Sequence, residues 1–282
     1  MPTIYELYED VLRDSAFLRQ NEIAVREILC HLQGFSEMSD FFTNKDVEIR
    51  DLPRFQSYLA RFLNGEPVQY ILNKARFFGV DYYVDSRVLI PRMETEEVVT
   101  YAINEIKRKF ENMAISIVDL GTGSGIIAIS MKKEFPNGQL IATDISQKAI
   151  EVAKNNALRH HVVIDFLEGR ALEPLVFAGK KVNVIISNPP YITNQSEIAD
   201  SVLRFEPFNA LVDVEEMGVY EAVFRTYHLI ASFPFLMVFE IGHDMREKIT
   251  PLLKKYFADG CWQILQDINK RDRILSIYIE KE

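Results

Sequence analysis

From Ile115 onward the chain alternates short apolar segments with segments of helical period, and this alternation constrains the fold more than any other feature. A strand that returns to its sheet through a helix runs parallel to the strand before it. Two closing strands, near 261–266 and 274–280, are separated only by a short polar turn, so they should pair antiparallel. The sequence therefore predicts an α/β fold with a doubly wound, seven-stranded, mostly parallel sheet that includes one antiparallel strand. The other predicted elements are strands at 115–120, 139–143, 162–167, 182–187 and 235–241, and helices at 94–110, 124–134, 146–158, 219–232 and 244–257.

The beginning of the chain has a helical pattern instead. Thr3 and Glu6 form a capping-box pattern ahead of a first helix, and Gly34 ends a second one. Asp51, placed shortly before Pro53, begins another helix. These signals predict a small helical bundle.

Between the two regions the period changes again. Residues 76–85 are rich in aromatic and β-branched side chains and contain a Gly79 turn, which is typical of a β-hairpin. The sequence thus predicts a helical bundle over 1–73, a hairpin linker over 74–93 and an α/β domain over 94–282.

A glycine-rich loop, from Gly121 to Gly125, joins the strand predicted at 115–120 to the following helix. Glycine lets the backbone turn tightly and lets a ligand approach without meeting a Cβ atom. Position 126 is isoleucine, so the spacing G-x-G-x-G does not complete the dinucleotide-binding fingerprint, and the Gly-Lys-Ser/Thr ending of a phosphate loop is missing too. A purely structural strand-to-helix turn is the alternative interpretation of this loop.

Asp144 ends the next predicted strand, nineteen positions after Gly125. A carboxylate at that place can accept hydrogen bonds from both ribose hydroxyls of a nucleoside. The alternative is that Asp144 only caps the helix that starts near Ser146. Taken with the loop, it indicates a cofactor that contains adenosine, and S-adenosylmethionine fits best because groups that recognise phosphate are missing.

The segment Asn188-Pro189-Pro190-Tyr191 follows the strand predicted at 182–187. The two prolines fix φ at successive residues and cannot continue a strand, so the backbone there is preorganised. An amide nitrogen is a poor nucleophile, and its two N–H groups need two acceptors to hold it in place. The Asn188 side-chain oxygen and the Pro189 carbonyl oxygen can provide them, while Tyr191 can stack on the planar group. The segment therefore predicts a site that methylates a planar amide or amine nitrogen; the alternative is a rigid turn.

At this point the chain resembles the bacterial release factor glutamine methyltransferases of the PrmC/HemK type. The resemblance covers nearly the whole chain, although Met93 stands where the family usually has proline. The matching stretches are Gly65 to Ile71, Phe77 to Gly79, Val88 to Arg92, Glu94 to Glu96, Asp119 to Gly125, Ala142 to Ser146, Ser187 to Ile192, Phe205 to Pro207, Glu240 to Gly242 and Arg271 to Arg273.

The resemblance implies a class I (Rossmann-like) methyltransferase domain over 94–282 that uses S-adenosylmethionine and releases S-adenosylhomocysteine. It implies that the substrate is the glutamine side chain in the Gly-Gly-Gln motif of class I peptide chain release factors, whose methylation modulates translation termination. It also implies that the helical bundle over 1–73 docks the release factor.

The predicted site has three overlapping sets of residues. The catalytic residues are Asn188, Pro189 and Tyr191. The substrate-binding residues are Asn188, Pro189, Pro190, Tyr191, Arg92 and Glu94. The cofactor-binding residues are Asp119, Gly121, Thr122, Gly123, Ser124, Gly125, Asp144, Ile145, Ala171 and Asn188.

Other polar residues are open to more than one interpretation. Arg92 and Glu94 could position the substrate or form a plain salt bridge. Glu240, which ends a predicted core strand, is interpreted as a structural hydrogen-bonding group rather than a catalytic one. His160 and His161 lie in a polar turn and the other three histidines are scattered, so no ligand set converges and no metal site is expected.

Two rival functions remain open. A nucleic-acid adenine N6-methyltransferase also acts on a planar nitrogen, but the net charge of −9 argues against a basic nucleic-acid-binding surface. A catalytically inactive binding protein of the same fold is the second rival, against which the intact motifs argue. We expect a monomer without direct nucleic-acid or membrane partners. Two widely spaced cysteines and the lack of a signal peptide predict the cytoplasm.

Overall fold

The computed structural model describes residues 1–193, 196, 198–213, 215 and 217–281. The chain divides into two compact units, Met1–Lys74 and Ala75–Glu282. The hairpin predicted as a linker therefore belongs to the second unit. Within the described ranges, every helix is too short or too polar to cross a lipid bilayer.

The first unit is helical and has its own apolar core. Its core includes the fully buried side chains of Ile4, Val25, Ile28, Phe41 and Phe55. The predicted capping box is present, because Thr3 N donates to the Glu6 carboxylate at 2.9 Å and Glu6 N donates to Thr3 Oγ1 at 3.2 Å. The helices are α1 (Ile4–Asp14), α2 (Ala16–Gln20), α3 (Glu22–Gln33), α4 (Asp40–Thr43), α5 (Leu52–Leu63) and α6 (Val68–Leu72).

The second unit begins with a short hairpin and continues as alternating strands and helices. Its strands are β1 (Ala75–Phe77), β2 (Val80–Tyr82), β3 (Ser116–Leu120), β4 (Gln139–Asp144), β5 (Asp165–Glu168), β6 (Val182–Ser187), β7 (Ala231–Glu240), β8 (Trp262–Gln266) and β9 (Asp272–Ile279). Its helices are α7 (Met93–Lys109), α8 (Ile126–Glu134), α9 (Gln147–Arg159), α10 (Glu173–Phe177), α11 (Asp200–Phe205), α12 (Phe208–Leu211), α13 (Gly218–Thr226) and α14 (Arg246–Tyr256).

Seven of these strands form one sheet in the order β5-β4-β3-β6-β7-β9-β8. The strands β5, β4, β3, β6 and β7 pair parallel, while β9 runs antiparallel to both β7 and β8. This confirms the predicted seven-stranded, mostly parallel sheet with one antiparallel strand. The chain order reverses between β3 and β6, and in doubly wound folds such a switch point opens a crevice at the carboxyl ends of the strands.

Helices cover both faces of the sheet because successive strand residues point to opposite sides. In β6, Val184 and Ile186 pack into one core with α7 and α8, whereas Ile185 packs into the other core with α13 and α14. The strands are apolar on both sides for this reason, which explains why they appear in the sequence as continuous hydrophobic runs.

The helix predicted at 219–232 is wrong over its last part. The helix α13 ends at Thr226, and β7 already begins at Ala231. The reason is a contact with the first residue of β6. Val182 N donates to Ile230 O at 2.9 Å and Val182 pairs with Ala231, so Ile230 and Ala231 join the sheet instead of extending the helix. The strand predicted from 162 begins only at Asp165, and the short helices α10, α11 and α12 are additional to the prediction.

Candidate active site

The glycine loop turns directly from β3 into α8. The N–H groups of Gly121 and Thr122 both donate to the Thr143 carbonyl at 2.8 Å, which ties the loop to the end of β4. Gly123 has a φ of +53°, a conformation that residues with a Cβ adopt only with strain. A Cβ atom built on Gly121 or Gly123 would have nothing within 4 Å, so the outer side of the loop is open to a ligand.

Gly125 has a different role from the other two loop glycines. A Cβ atom there would lie 3.1 Å from the backbone and side chain of Ala153 in α9. Asn156, also in α9, donates to the Ser124 carbonyl at 2.8 Å. The inner side of the loop thus packs against α9, and Thr122 and Ser124 are both buried.

Asp119 lies beneath the loop rather than on its open side. Its carboxylate accepts from Thr122 Oγ1 at 2.6 Å and from Ala128 N, in the first turn of α8, at 3.0 Å. Burial raises the pKa of Asp119 to about 7. These contacts indicate that Asp119 holds the shape of the loop, and its other oxygen has no partner among the described residues.

Asp144 holds the open side of the loop. One of its carboxylate oxygens accepts from Gly123 N at 2.9 Å and the other accepts from Ser146 N at 2.9 Å. Ser146 itself caps α9, because its hydroxyl accepts from Ala149 N. The N-cap of α9 is therefore Ser146, and Asp144 supports it by accepting from its backbone N–H. Burial raises the pKa of Asp144.

Two further residues of the predicted cofactor set flank Asp144. Ile145 follows it and is largely exposed, at 62%. Ala171 has a φ of +46° and packs partly against the core on the α13 side, in the segment where Gly169 N donates to the Asp144 carbonyl at 3.0 Å. The neighbouring Arg170 forms an exposed ion pair with Glu215.

The Asn188-Pro189-Pro190-Tyr191 segment starts at the same edge of the sheet as the glycine loop. Leu120 and Ser187 are paired residues of adjacent parallel strands, so Gly121 and Asn188 are the next residues on the two chains. The Ser187 hydroxyl donates to the Leu120 carbonyl at 2.7 Å and closes the gap between the two strand ends. The loop and the proline segment therefore begin at neighbouring positions on the same edge of the sheet.

A cavity of about 230 Å³ lies beside the proline segment. One wall carries Asn188, Pro189, Pro190 and Tyr191, with Arg92 at the side. The opposite wall is apolar and is formed largely by residues on and around α11 and α12. Its residues are Leu89, Ile192, Ile198, Ala199, Val202, Ala210 and Leu211.

Asn188 is the first member of a series of polar side chains. Its Nδ2 donates to Thr95 Oγ1 at 3.2 Å, and the Thr95 hydroxyl donates to Glu240 Oε2 at 2.7 Å. Tyr191 donates to the other oxygen, Glu240 Oε1, at 3.3 Å. These contacts bring together α7, the proline segment and the end of β7.

Glu240 is buried, and among the described residues Arg273 is the cationic side chain next to it. Arg273 Nη1 is 4.0 Å from Glu240 Oε1. Burial raises the pKa of Glu240, while Thr95, Arg273 and Tyr191 oppose that rise. Burial and the nearby Glu240 charge raise the pKa of Tyr191 to about 12, so the phenol keeps its proton and acts as a donor.

Arg92 and Glu94 take different positions. Arg92 Nη2 donates to the buried Glu206 carboxylate at 2.6 Å, and Ile90 N donates to the other Glu206 oxygen at 3.1 Å. Arg92 thus forms a salt bridge and also lines the cavity that contains Asn188. Glu94 lines a separate groove along α7 instead, and its part in substrate binding stays a prediction.

Sequence reasoning missed Thr95 and gave Glu206 no role. Both are buried polar side chains, at 1% and 5% exposure, and both contact predicted site residues. No local pattern in the sequence identifies them, because a polar side chain with apolar surroundings can be recognised only once the fold shows what surrounds it. Within the described ranges, no three His, Cys, Asp or Glu side chains converge in a way that could hold a metal ion.

Two family models and several named proteins match the chain. Residues 102–206 match the family described as methyltransferase small domain, and residues 8–72 match the PrmC N-terminal domain. A release factor glutamine methyltransferase of Staphylococcus aureus is 42% identical over 226 residues, which cover 79% of this chain and 80% of that protein. A protein of the same name from Bacillus anthracis is 31% identical over 97% of this chain and 99% of its own.

A solved structure of low identity shares the fold. The hMettl16 catalytic domain, crystallised with a MAT2A 3'UTR hairpin, superposes with a TM-score of 0.54 at 14% identity, over 85% of this chain and 87% of that one. The likeness concerns the arrangement of strands and helices.

Proposed function

Because the chain belongs to the release factor glutamine methyltransferase family, we propose that it methylates the side-chain amide of the glutamine in the Gly-Gly-Gln motif of class I peptide chain release factors. The methyl donor in this proposal is S-adenosylmethionine. The observation that carries the proposal is the strand register, by which Gly121 and Asn188 directly follow paired residues of the adjacent strands β3 and β6.

The residues of the loop fit S-adenosylmethionine. The space beside Gly121 and Gly123 is open, and the Asp144 carboxylate, which accepts from Gly123 N and Ser146 N, lies at the edge of that space. A carboxylate oxygen has a second lone pair, so Asp144 can still accept ribose hydroxyls. When bound, S-adenosylmethionine supplies a methyl carbon attached to a cationic sulfur, so the leaving group needs no activation.

The acceptor side then has to position a weak nucleophile. The Asn188 side-chain oxygen and the Pro189 carbonyl oxygen can each accept one N–H of the glutamine amide, which fixes the plane of the amide. Tyr191 can stack on that plane, and the apolar wall around α11 and α12 limits access of water to the cavity. Holding the reacting groups in one geometry is the main source of catalysis in such a site.

The surface of the N-terminal unit, the net charge and the cysteines bear on partner and compartment. The N-terminal unit exposes several large apolar side chains, Phe17, Ile23, Phe42 and Leu63, which are suited to docking a protein substrate. We propose that this unit docks the release factor, so Ile23→Glu should raise KM for the release factor and leave cofactor affinity unchanged. An unchanged KM would count against docking at Ile23. From the net charge of −9 and the two free cysteines we also propose a cytoplasmic protein that does not bind nucleic acid.

The proposal is tested with labelled S-adenosylmethionine and three acceptors. We expect label on an intact class I release factor, none on the same factor with its Gly-Gly-Gln glutamine changed to alanine, and none on duplex DNA. Mass spectrometry of the tryptic peptide should place one methyl group on that glutamine. Label on DNA would favour the rival adenine N6-methyltransferase, and cofactor binding without transfer to any acceptor would favour an inactive binding protein.

A further inference from the structure

The contact between Asn188 and Thr95 is the start of a hydrogen-bond series that ends in the core. Asn188 Nδ2 lies 3.2 Å from Thr95 Oγ1, which lies 2.7 Å from Glu240 Oε2. Thr95 and Glu240 are each only 1% exposed. Water therefore has little access to replace either partner, and the two groups must satisfy each other.

With Glu240 ionised, the chemistry of these groups permits one direction only. An ionised carboxylate accepts hydrogen bonds and cannot donate them, so the single Thr95 hydroxyl hydrogen must point to Glu240. The Thr95 oxygen is then left as an acceptor toward Asn188. Only the amide nitrogen of Asn188 can donate to it, so the amide oxygen must face the opposite way.

The Glu240 carboxylate is itself fixed from several sides. Tyr191 donates to Oε1 at 3.3 Å and the Arg273 guanidinium lies 4.0 Å from the same oxygen. Tyr220 donates to the Glu240 backbone carbonyl at 2.8 Å, which holds the main chain of this residue in place. The oxygen Oε2 is thereby directed to Thr95, which makes the orientation of Asn188 a consequence of a charge inside the core.

We propose that Thr95 and Glu240 are positioning residues, which orient the Asn188 side chain so that its oxygen, and not its NH₂ group, faces the acceptor nitrogen. The proposal rests on the proposed function, because the preference for an oxygen follows from an acceptor that carries N–H groups. With the Asn188 amide reversed, two donors would face each other and the acceptor amide would lose one of its two fixed partners.

Substitutions at Thr95 separate the hydroxyl from the shape of the side chain. Thr95→Val keeps the shape and removes the hydroxyl, so we expect kcat to fall about tenfold or more, as for the loss of one aligned hydrogen bond. Thr95→Ser keeps the hydroxyl and should restore most of the turnover. Thr100→Val makes the same change on the exposed side of α7 and is the matched control. Wild-type kcat in folded Thr95→Val would overturn the proposal.

Glu240→Gln tests the direction of the hydrogen bonds. Tyr191 and Arg273 both favour an oxygen beside them, so the new amide would turn its NH₂ group to Thr95. The Thr95 hydroxyl would then donate to Asn188, whose amide would reverse. We expect kcat to fall about tenfold or more with little change in cofactor affinity, and an unchanged kcat would overturn the proposal even if Thr95→Val did not fold.

The pH profile of kcat gives a second readout. Glu240 faces Thr95 and Glu94 from α7, Tyr191 from the proline segment, Tyr220 from α13 and Arg273 from β9. Burial raises its pKa, so the carboxylate is protonated, and turnover lost, at a higher pH than for an ordinary glutamate. The wild-type kcat at saturating cofactor should fall as pH falls through that raised pKa. Glu240→Gln should lack this fall; an identical profile in both proteins would contradict the proposal.

An NMR measurement makes the test independent of the substrate. The Asn188 side-chain NH₂ signals, assigned by their loss in Asn188→Ala, should move in Thr95→Val and stay near their wild-type positions in Thr95→Ser. If the Asn188 signals respond to Thr95→Val and Thr95→Ser as expected but the wild type methylates no release factor, the proposed function fails and the proposed orientation of Asn188 stands. Signals that do not respond to Thr95→Val would overturn the proposal whatever the substrate.

Discussion

The two sides of the crevice are built by different means. On the cofactor side, carboxylates hold backbone N–H groups: Asp119 binds the start of α8, and Asp144 binds Gly123 and Ser146. On the acceptor side, Asn188 is held by the side chains of Thr95 and, through it, Glu240. The first arrangement fixes the course of the main chain, and the second fixes the orientation of one amide group. The cofactor side should therefore respond to changes in backbone conformation, and the acceptor side to changes in single hydrogen bonds.

The largest effect is expected on the acceptor side. Asn188→Ala removes an acceptor that holds the reacting nitrogen, so kcat should fall roughly 100-fold, in line with the cost of misplacing a reacting group. Cofactor affinity measured by calorimetry should stay nearly the same. Asn104→Ala, an exposed change on α7, is the control, and a variant with normal kcat would remove Asn188 from the site.

Asp144→Ala should act on affinity instead. Loss of hydrogen bonds to a charged group costs about 1.5–3 kcal/mol of cofactor binding. Calorimetric titration with S-adenosylmethionine measures this loss, with the exposed Asp259→Ala as control. If the dissociation constant did not change, Asp144 would be only a brace for the loop and for α9.

Two glycine substitutions sharpen the view of the cofactor side. Both Gly123 and Gly125 have positive φ, so alanine is strained at either position, but only at Gly125 would the Cβ atom meet Ala153 at 3.1 Å. Gly125→Ala should therefore lower the free energy of unfolding by about 1 kcal/mol more than Gly123→Ala. Urea denaturation measures both values. Equal losses of unfolding free energy in the two variants would show that α9 can shift away from the new Cβ atom without destabilising the protein.

The smallest effect is expected for Arg170→Ala. The ion pair of Arg170 with Glu215 is exposed, at 50% and 58% for the two side chains, and such pairs contribute at most about 1 kcal/mol. Stability and cofactor affinity should both stay close to those of the wild type. A large loss of affinity would mean that Arg170 contacts the cofactor directly, as a second side chain beside Asp144.

The same contrast explains which features of the fold and the site could be predicted from the sequence alone. The strands, and the positions of the glycine loop and Asp144 at strand ends, could be predicted because each depends on neighbours close in the chain; for β6 the hydrophobic pattern gave both bounds. The acceptor side could be predicted only as far as its contiguous segment, Asn188 to Tyr191. Thr95 and Glu240 are 145 positions apart, and no local pattern connects them. Their pairing follows from the packing of α7 across the end of β7.

The pairing of Leu120 with Ser187 has a consequence for how this scaffold can change its chemistry. Adjacent strands lie about 4.8 Å apart, and this separation is set by main-chain hydrogen bonds. Because side chains do not set this separation, the distance between the glycine loop after β3 and the proline segment after β6 is a property of the sheet itself. A variant that is to accept a different nucleophile must therefore be obtained by reshaping the walls around a fixed span, for example at the apolar residues Val202 and Leu211.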